Sequence, residues 1–401
     1  MRAEASRVRV RGPLAELAPG FAEELSRLGY TQEAACRQLR MMAHLSRWMG
    51  TQGLGPTELG PRLMRFLAAR RSAGHTRWVS ERGLRSLVGY LVRSGQMPAP
   101  EAAVGESPTD RLLDAYGRYL AGERGLTTGT VAGYRVAVRP FVEERVHGDR
   151  LELGELSAAD VTGFVLSGCR DRGVSSAKHL VTALRSLLRY LHLSGKAPDL
   201  AAAVPAVAGW RGGWLPRGVE PQQVARLLAS CERGTAVGRR DHAMLMLLAR
   251  LGLRAGEVAA LRLDDLDWQR GEVVIRGKGN RQERLPLPVD VGEAVSDYLL
   301  EGRPRVEGRW LFVSVRAPLG GLSSNAVMTV VSSASKRAGM ARIAAHRLRH
   351  TLATEMLGAG AALSDVAQIL RHRSLSNTAI YAKVDRSALR SLARPWPGGL
   401  A

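Results

Sequence analysis

The first half of the chain alternates apolar and polar residues with the period of an α-helix. Apolar side chains recur every three or four residues, most regularly at Val181, Leu184, Leu187, Leu188 and Leu191. This spacing places them on one helix face, which can pack into a bundle. Ser194-Gly195 and Pro198 predict where that helix ends. By the same pattern, the stretches 20–100 and 108–200 each predict four short helices.

The two helical stretches also resemble each other. Residues 84–98 and 184–198 share Leu-Arg-Ser-Leu, Tyr-Leu, Ser-Gly and a final Pro, at a constant offset of 100 residues. Further upstream, Leu-Gly29-Tyr-Thr corresponds to Arg-Gly125-Leu-Thr, and Glu58-Leu-…-Phe66 to Glu155-Leu-…-Phe164. Matches at several positions in the same order predict a duplicated helical unit.

The pattern changes in the second half of the chain. Helices are expected over 219–228 and 241–251 and again from Val291. Segments 272–276 and 283–287 flank a Gly-Asn turn and predict an antiparallel hairpin, and Trp310–Val313 predicts a further short strand. The predicted organisation is an N-terminal helical domain at 1–100, a second helical domain at 108–205, a linker at 206–218, and a mostly α domain with one small sheet at 219–401.

Charge is the compositional feature that bears on function. Lys and Arg total 58 against 37 Asp and Glu, giving a net charge of +21 and a pI near 11.0. A basic excess spread over the whole chain predicts a polyanionic partner, and nucleic acid is the usual one. A ribosome-bound protein would have a similar charge. Binding to a membrane surface lacks support, because no basic amphipathic helix has an aromatic face.

The composition also predicts the compartment. Three widely separated cysteines suggest neither a disulfide framework nor a zinc site. The N-terminus lacks the apolar run of a signal peptide, and no stretch approaches the roughly 20 apolar residues that span a bilayer. We therefore expect a cytoplasmic protein.

Single residues in the second half admit ordinary interpretations. Arg254 could be a surface arginine after a helix, Lys278 a solvated lysine at a hairpin tip, and Tyr381 a core residue. His346 and His350 lie four apart, as zinc ligands do, but there is no His-Glu-x-x-His pattern and the neighbouring arginines would repel a cation. No metal is expected there.

Taken together, the same residues suit attack on a phosphodiester. Two arginines can neutralise the non-bridging oxygens of a phosphate, a tyrosine can be the nucleophile, and a lysine can protonate the leaving oxygen. Only five of the 58 basic residues are lysines, so Lys278 between two glycines fits a role in proton transfer, which arginine cannot perform. The candidate catalytic residues are Arg254, Lys278, His346, Arg349, His372 and Tyr381.

These motifs resemble the tyrosine recombinases, which include phage integrases and Xer-like enzymes. The resemblance covers 216–401 through Leu-Gly-Leu-Arg254-Ala-Gly-Glu, Gly-Lys278-Gly-Asn, His346-Arg-Leu-Arg-His-Thr, Leu-Arg-His372 and Thr-Ala-Ile-Tyr381. Residues 108–200 resemble the family's SAM-like core-binding domain, whereas the first hundred residues fall outside its usual two-domain pattern. One departure is Arg371, where the family commonly has glycine; it could alter the local backbone or add a phosphate contact.

The resemblance implies a mechanism. Tyr381 would attack a DNA phosphate to form a 3′-phosphotyrosyl bond, with Arg254, Arg349 and His372 on the phosphate. Lys278 would be the general acid, and His346 the base or positioning group for the tyrosine proton. Glu257, His350 and Arg371 would support the site. No metal, nucleotide or other cofactor is implied.

It also implies a partner and an assembly. Four protomers would act on two double-stranded DNA sites, either alone or together with related recombinases, and the segment 387–393 could pass between neighbours. The extra N-terminal copy suggests integration, excision or transposition of a mobile element, in which it would contact DNA or protein. Alternatives are a type IB topoisomerase, with similar chemistry, and a non-catalytic accessory DNA-binding protein.

Overall fold

The computed structural model describes residues 8–77, 79–98, 107–148, 150–208, 218–277 and 282–371. Over these ranges the chain is mostly helical with small antiparallel sheets, as the sequence predicted. It divides into two compact units. One comprises Met1–Met97 with Gly212–Ala401, and the other comprises Pro98–Arg211.

In its described residues the first bundle contains four α-helices. Thr31 caps the second of them by accepting a hydrogen bond from the Ala34 N–H. Its core includes Phe21, Leu87 and Leu91, all fully buried. The helices are α1 (Ala18–Arg27), α2 (Gln32–Thr51), α3 (Leu59–Ser72) and α4 (Glu81–Arg93).

The second bundle also has four helices and its own core. Leu184, Leu187 and Leu191 are fully buried, so the apolar stripe on the last helix points inward as its spacing predicts. The helices are α5 (Pro108–Gly122), α6 (Thr128–Glu143), α7 (Ala158–Cys169) and α8 (Val174–Leu193). A two-stranded ribbon, which the sequence analysis missed, joins β1 (Val146–His147) to β2 (Arg150–Leu151).

The mixed domain has a large apolar core to which helices and sheet both contribute, and a smaller apolar cluster that includes Ala353, Leu357 and Val366. Its sheet is antiparallel with strand order β3-β4-β5, formed by Leu266–Asp267, Glu272–Arg276 and Gln282–Pro286. The helices are α9 (Pro221–Ala229), α10 (Ala236–Arg250), α11 (Ala255–Ala260), α12 (Val289–Glu301), α13 (Ser324–Arg337), α14 (Ala345–Gly358) and α15 (Leu363–Ile369).

Two details of this domain differ from the prediction. The expected strand over Trp310–Val313 was wrong: its ends form single bridges, Trp310 with Arg262 and Val313 with Gly321, because each end meets a different segment. Helix α10 begins at Ala236, five residues before the predicted start, because Thr235 caps it by accepting from the Gly238 N–H at 3.0 Å.

The first bundle contacts the mixed domain at the turn between α1 and α2. The Leu319 N–H donates to the Leu28 carbonyl at 2.9 Å, and Arg27 pairs with Glu307. Gly29 has a φ of +76°, and a Cβ there would lie 2.3 Å from the Leu319 side chain. Glycine is therefore required at this point both by the backbone and by the close approach.

Candidate active site

Arg254 lies at the N-cap of α11, and Glu257 holds it there. The Arg254 N–H donates to Glu257 Oε2 at 2.9 Å, and its Nη1 donates to Oε1 at 2.6 Å. The Arg254 side chain is 45% exposed, whereas that of Glu257 is 7% exposed. Both Glu257 oxygens therefore face arginine N–H groups, and the guanidinium of Arg254 stays accessible at the edge of this arrangement.

Arg371 is the second cation on Glu257. Its Nη2 donates to Glu257 Oε2 at 2.7 Å, and its side chain is only 6% exposed. Burial alone would raise the pKa of Glu257, but the charge of Arg371 and the hydrogen bonds from Arg254 outweigh burial and hold it below its usual value. Glu257 is therefore ionised between two guanidiniums.

The backbone of Arg371 is unusual. Among the described residues it is the one non-glycine residue with a positive φ, at +52°. A side chain in this left-handed region costs about 1 kcal/mol relative to glycine. Arg371 stands where the family commonly has glycine, so its left-handed backbone costs free energy. The ion pair with Glu257 must offset that cost.

Arg349 connects the segments before Arg254 and Arg371. It is 1% exposed, and its guanidinium donates to the Gly252 carbonyl at 2.6 Å and to the Leu370 carbonyl. These carbonyls lie two residues before Arg254 and one before Arg371. Arg349 therefore holds two backbone segments of the site together through their carbonyls, and it does not line the cavity.

His346 and His350 stack edge-on in successive turns of α14, with ring centroids 4.4 Å apart. Burial, together with the neighbouring His346 and Arg349, lowers the pKa of His350 to about 4. The pKa of His346 is also lowered, first by partial loss of water and then by Arg349 and Arg254. Both imidazoles are therefore neutral near pH 7, and a neutral imidazole can accept a proton.

One cavity, of about 1140 Å³, brings four of the candidate residues together, whereas Arg349 and His350 do not line it. Arg254, Glu257, His346 and Arg371 line it, as does Gly277, which directly precedes Lys278. The sequence analysis missed two further lining residues, Arg276 and Glu283. The period-two pattern of β4 could have found Arg276, because it turns that side chain to the face opposite buried Val273 and Ile275; Glu283 shares the face of buried Leu285, and no sequence signal identified it. Arg276 is held by the buried Asp265.

Three predicted catalytic residues, Lys278, His372 and Tyr381, lie outside the described residues, as does the segment 387–393. Among the residues that the structure describes, no group of three or more side chains could hold a metal ion. Within the same ranges, none of the helices has the length and apolar character needed to cross a bilayer.

The chain resembles known recombinases in sequence. Residues 217–387 match the model of the phage integrase family. The integrase/recombinase y4rA of Sinorhizobium fredii is 41% identical over 394 residues, which are 96% of this chain and 95% of that protein. The tyrosine recombinase XerD of Mycobacterium tuberculosis is 33% identical over 307 residues, covering 71% of this chain and 96% of XerD.

Solved structures show the same fold. The XerH site-specific recombinase bound to a palindromic difH substrate has a TM-score of 0.55 and 17% identity, covering 84% of this chain and 95% of XerH. A lambda integrase dimer bound to a COC′ core site has a TM-score of 0.53 and 18% identity, covering 71% of this chain and 96% of that one.

Helical bundles followed by a mixed domain are the fold that this chain shares with these recombinase structures. The aligned relatives make the assignment specific: this chain belongs to the tyrosine recombinase family. Members of that family cleave and rejoin DNA.

Proposed function

We propose that the chain is a site-specific DNA recombinase that cleaves and rejoins strands through a 3′-phosphotyrosine at Tyr381. The observation that carries this proposal is the cluster of Arg254, Glu257 and Arg371 beside neutral His346 on one cavity. A cavity lined by guanidiniums is suited to a phosphate whose charge grows in the transition state.

In each step of the proposed reaction, one phosphorus–oxygen bond forms and one breaks. The Tyr381 oxygen attacks phosphorus, and its proton passes to His346. The bond from phosphorus to the 5′ oxygen breaks, and Lys278 protonates that oxygen as it leaves, so that it is released as a 5′-hydroxyl. A 5′-hydroxyl of another strand then attacks the phosphotyrosine and returns the tyrosine. The site must lower the barrier by about 20 kcal/mol, with Arg254 and His372 stabilising the phosphate and Arg349 holding the backbone before Arg254 and Arg371 in place.

The partner is double-stranded DNA carrying specific sites, and the net charge of +21 supports it. The XerH and lambda integrase relatives were solved on DNA substrates, which points the same way. Four protomers on two sites would exchange strands. Since 96% of XerD aligns with only 71% of this chain, a segment is present here that XerD lacks, and this favours mobile-element integration, excision or transposition over chromosome resolution.

The test is a suicide substrate, a nicked duplex carrying the ends of the host element, incubated with wild-type protein and with Tyr381→Phe. We expect a denaturant-resistant protein–DNA adduct that Tyr381→Phe abolishes. Tyr30→Phe is the matched control, because that hydroxyl contacts Ser86 within the first bundle, and its adduct should equal wild type.

The outcomes separate the alternatives. An adduct with relaxation of supercoils but no exchange between two sites would favour a topoisomerase-like activity. Binding without an adduct in any variant would favour a non-catalytic accessory protein and would refute the proposal. An adduct that survives in Tyr381→Phe would place the nucleophile elsewhere.

A further inference from the structure

Two buried carboxylates hold arginines at the candidate cavity, and both are fixed in the same way. Glu257 accepts a hydrogen bond from the Arg254 N–H at 2.9 Å and a second one from the Arg254 guanidinium. Asp265 accepts from the Arg262 N–H at 2.8 Å and from the guanidinium of Arg276. In each case a backbone N–H three residues earlier orients the carboxylate, which then holds a cation.

Arg276 combines a fixed guanidinium with access to the cavity. It is the last residue of β4, it lines the cavity, and its side chain is 31% exposed beside an Asp265 that is 2% exposed. Arg254 has the same relation to Glu257, with exposures of 45% and 7%. The structure therefore holds Arg276 as it holds a proposed catalytic arginine, although the sequence motifs do not include it.

Most of the hydrogen-bonding capacity of Arg276 remains available to a ligand. A guanidinium has five N–H donors, and among the described residues the partner of Arg276 is Asp265, through Nη1. The other charged cavity residue of this hairpin, Glu283, lies 3.8 Å from the Nε of Arg371. An arginine anchored on one side and open on the other is suited to a phosphate, which it can contact with two parallel N–H groups.

The position of Arg276 along the chain indicates which phosphate it meets. Lys278, the proposed acid on the leaving 5′ oxygen, follows two residues later. Two residues span at most about 7 Å of chain. Successive phosphates of one strand are separated by a rise of about 3.4 Å, so Arg276 is within reach of a phosphate next to the cleaved one. On the side of the leaving oxygen, that neighbour is the phosphate 3′ to the released nucleotide.

We propose that Arg276 binds the phosphate that follows the released nucleotide on its 3′ side, with Asp265 as the positioning residue. The contact holds the leaving strand beside Lys278 while the phosphorus–oxygen bond breaks. Arg254, by contrast, acts on the cleaved phosphate itself. The assignment rests on the proposed function, because the cleaved bond defines which phosphate is meant.

The experiment is a double-mutant cycle between the protein and its DNA. The probes are nicked duplexes carrying the ends of the host element, each with one neutral methylphosphonate at a different position of the cleaved strand. Binding is measured by fluorescence anisotropy with full-length Tyr381→Phe, which leaves the strand uncut. Adding Arg276→Ala should weaken binding to the unmodified duplex by about tenfold, the size of one charge-assisted contact. On the duplex modified at the proposed phosphate, the same change should weaken binding by at most about twofold.

Arg284→Ala is the matched control. Arg284 pairs in register with Val274 of β4, so it shares the sheet face of Arg276, but it forms an ion pair with Glu272 and does not line the cavity. Its loss should be small and equal on every duplex. Arg276→Gln/Asp265→Asn removes both charges of the buried pair, so it should stay folded and give the binding pattern of Arg276→Ala. Far-UV circular dichroism checks the fold of each variant.

The proposal is overturned if Arg276→Ala weakens binding by the same factor on every duplex, because its role would then be to stabilise Asp265 and the fold. It is also overturned if the coupled phosphate lies on the other side of the cleaved bond. Adduct formation by the chain that keeps Tyr381 locates that bond. Coupling at one phosphate without any adduct would support the Arg276 contact and count against the proposed function, so the two failures are distinguishable.

Discussion

Arg371→Gly separates the contribution of the guanidinium from that of the backbone. The φ of +52° at this position is one that glycine adopts without strain. Glycine therefore removes the side chain while leaving the chain path in place. Arg371→Ala is the matched variant, because it removes the same ion pair but keeps a Cβ in the left-handed region.

The expected loss follows from the burial of the pair. Removing one partner of a buried ion pair costs about 3–5 kcal/mol. Glu257 would keep its two hydrogen bonds from Arg254, which puts the loss near the lower value, about 3 kcal/mol. Relief of backbone strain returns about 1 kcal/mol. Arg371→Gly should thus lower the free energy of unfolding by about 2 kcal/mol, and Arg371→Ala by about 3 kcal/mol.

The same change should slow cleavage. Without Arg371, the charge of Glu257 acts on Arg254 alone and draws that guanidinium away from the phosphate. We expect adduct formation to slow by about tenfold, equivalent to about 1.4 kcal/mol. Adding Glu257→Gln should restore most of the rate, because a neutral amide needs no second cation. Such compensation distinguishes a positioning residue from one that only stabilises the fold.

The assays are urea denaturation followed by circular dichroism and single-turnover adduct formation on the nicked substrate. Wild-type stability in Arg371→Gly, together with an unchanged adduct rate, would refute the reasoning. An equal loss in the glycine and alanine variants would show that the left-handed backbone imposes no strain.

Two further predictions concern stability. Gly252→Ala should lower the free energy of unfolding by about 2–3 kcal/mol, because φ is +57° and the new Cβ would lie 2.9 Å from the Leu370 side chain. Gly271→Ala is the control: its φ is +62° but the space around it is open, so the loss should be about 1 kcal/mol. Equal urea midpoints for the two variants would contradict this prediction. Because of His350, the free energy of unfolding should fall by about 1–2 kcal/mol as the pH is lowered from 7 to 5. In the unfolded chain His350 gains a proton below a pH of about 6.5, whereas in the folded protein its pKa is about 4, so protonation favours the unfolded chain. His350→Gln should flatten that window of the stability profile, and an unchanged profile would contradict it.

Much of the fold was predictable because it follows from local periodicity. Leu184, Leu187 and Leu191 are spaced for one helix face, and all are fully buried. The hairpin of β4 and β5 was also predictable from local sequence, because a Gly-Asn turn signal lies between its two strand segments. The bridges at Trp310 and Val313 were not, because each depends on a segment distant in sequence and no local pattern encodes that partner.

The candidate site was predictable in composition but not in contacts. The motif order identified Arg254, His346 and Arg349 as site residues, and resemblance supplied their roles. Sequence spacing could not show that Arg349 lies beneath the surface on two carbonyls, nor that Arg371 pairs with Glu257, 114 positions away. These contacts form only when α11, α14 and α15 converge, so tertiary packing decides them.

A buried carboxylate in a site for phosphate needs a physical reason, since it repels the substrate. Glu257 has one: two guanidiniums would otherwise face each other across the cavity and repel. Its oxygens hold Arg254 and Arg371 at hydrogen-bonding distance before any DNA arrives. The cations are thereby fixed in place in advance, so less reorganisation is required when the transition state forms. A carboxylate that is 7% exposed between them keeps its own charge screened from the phosphate while it does so.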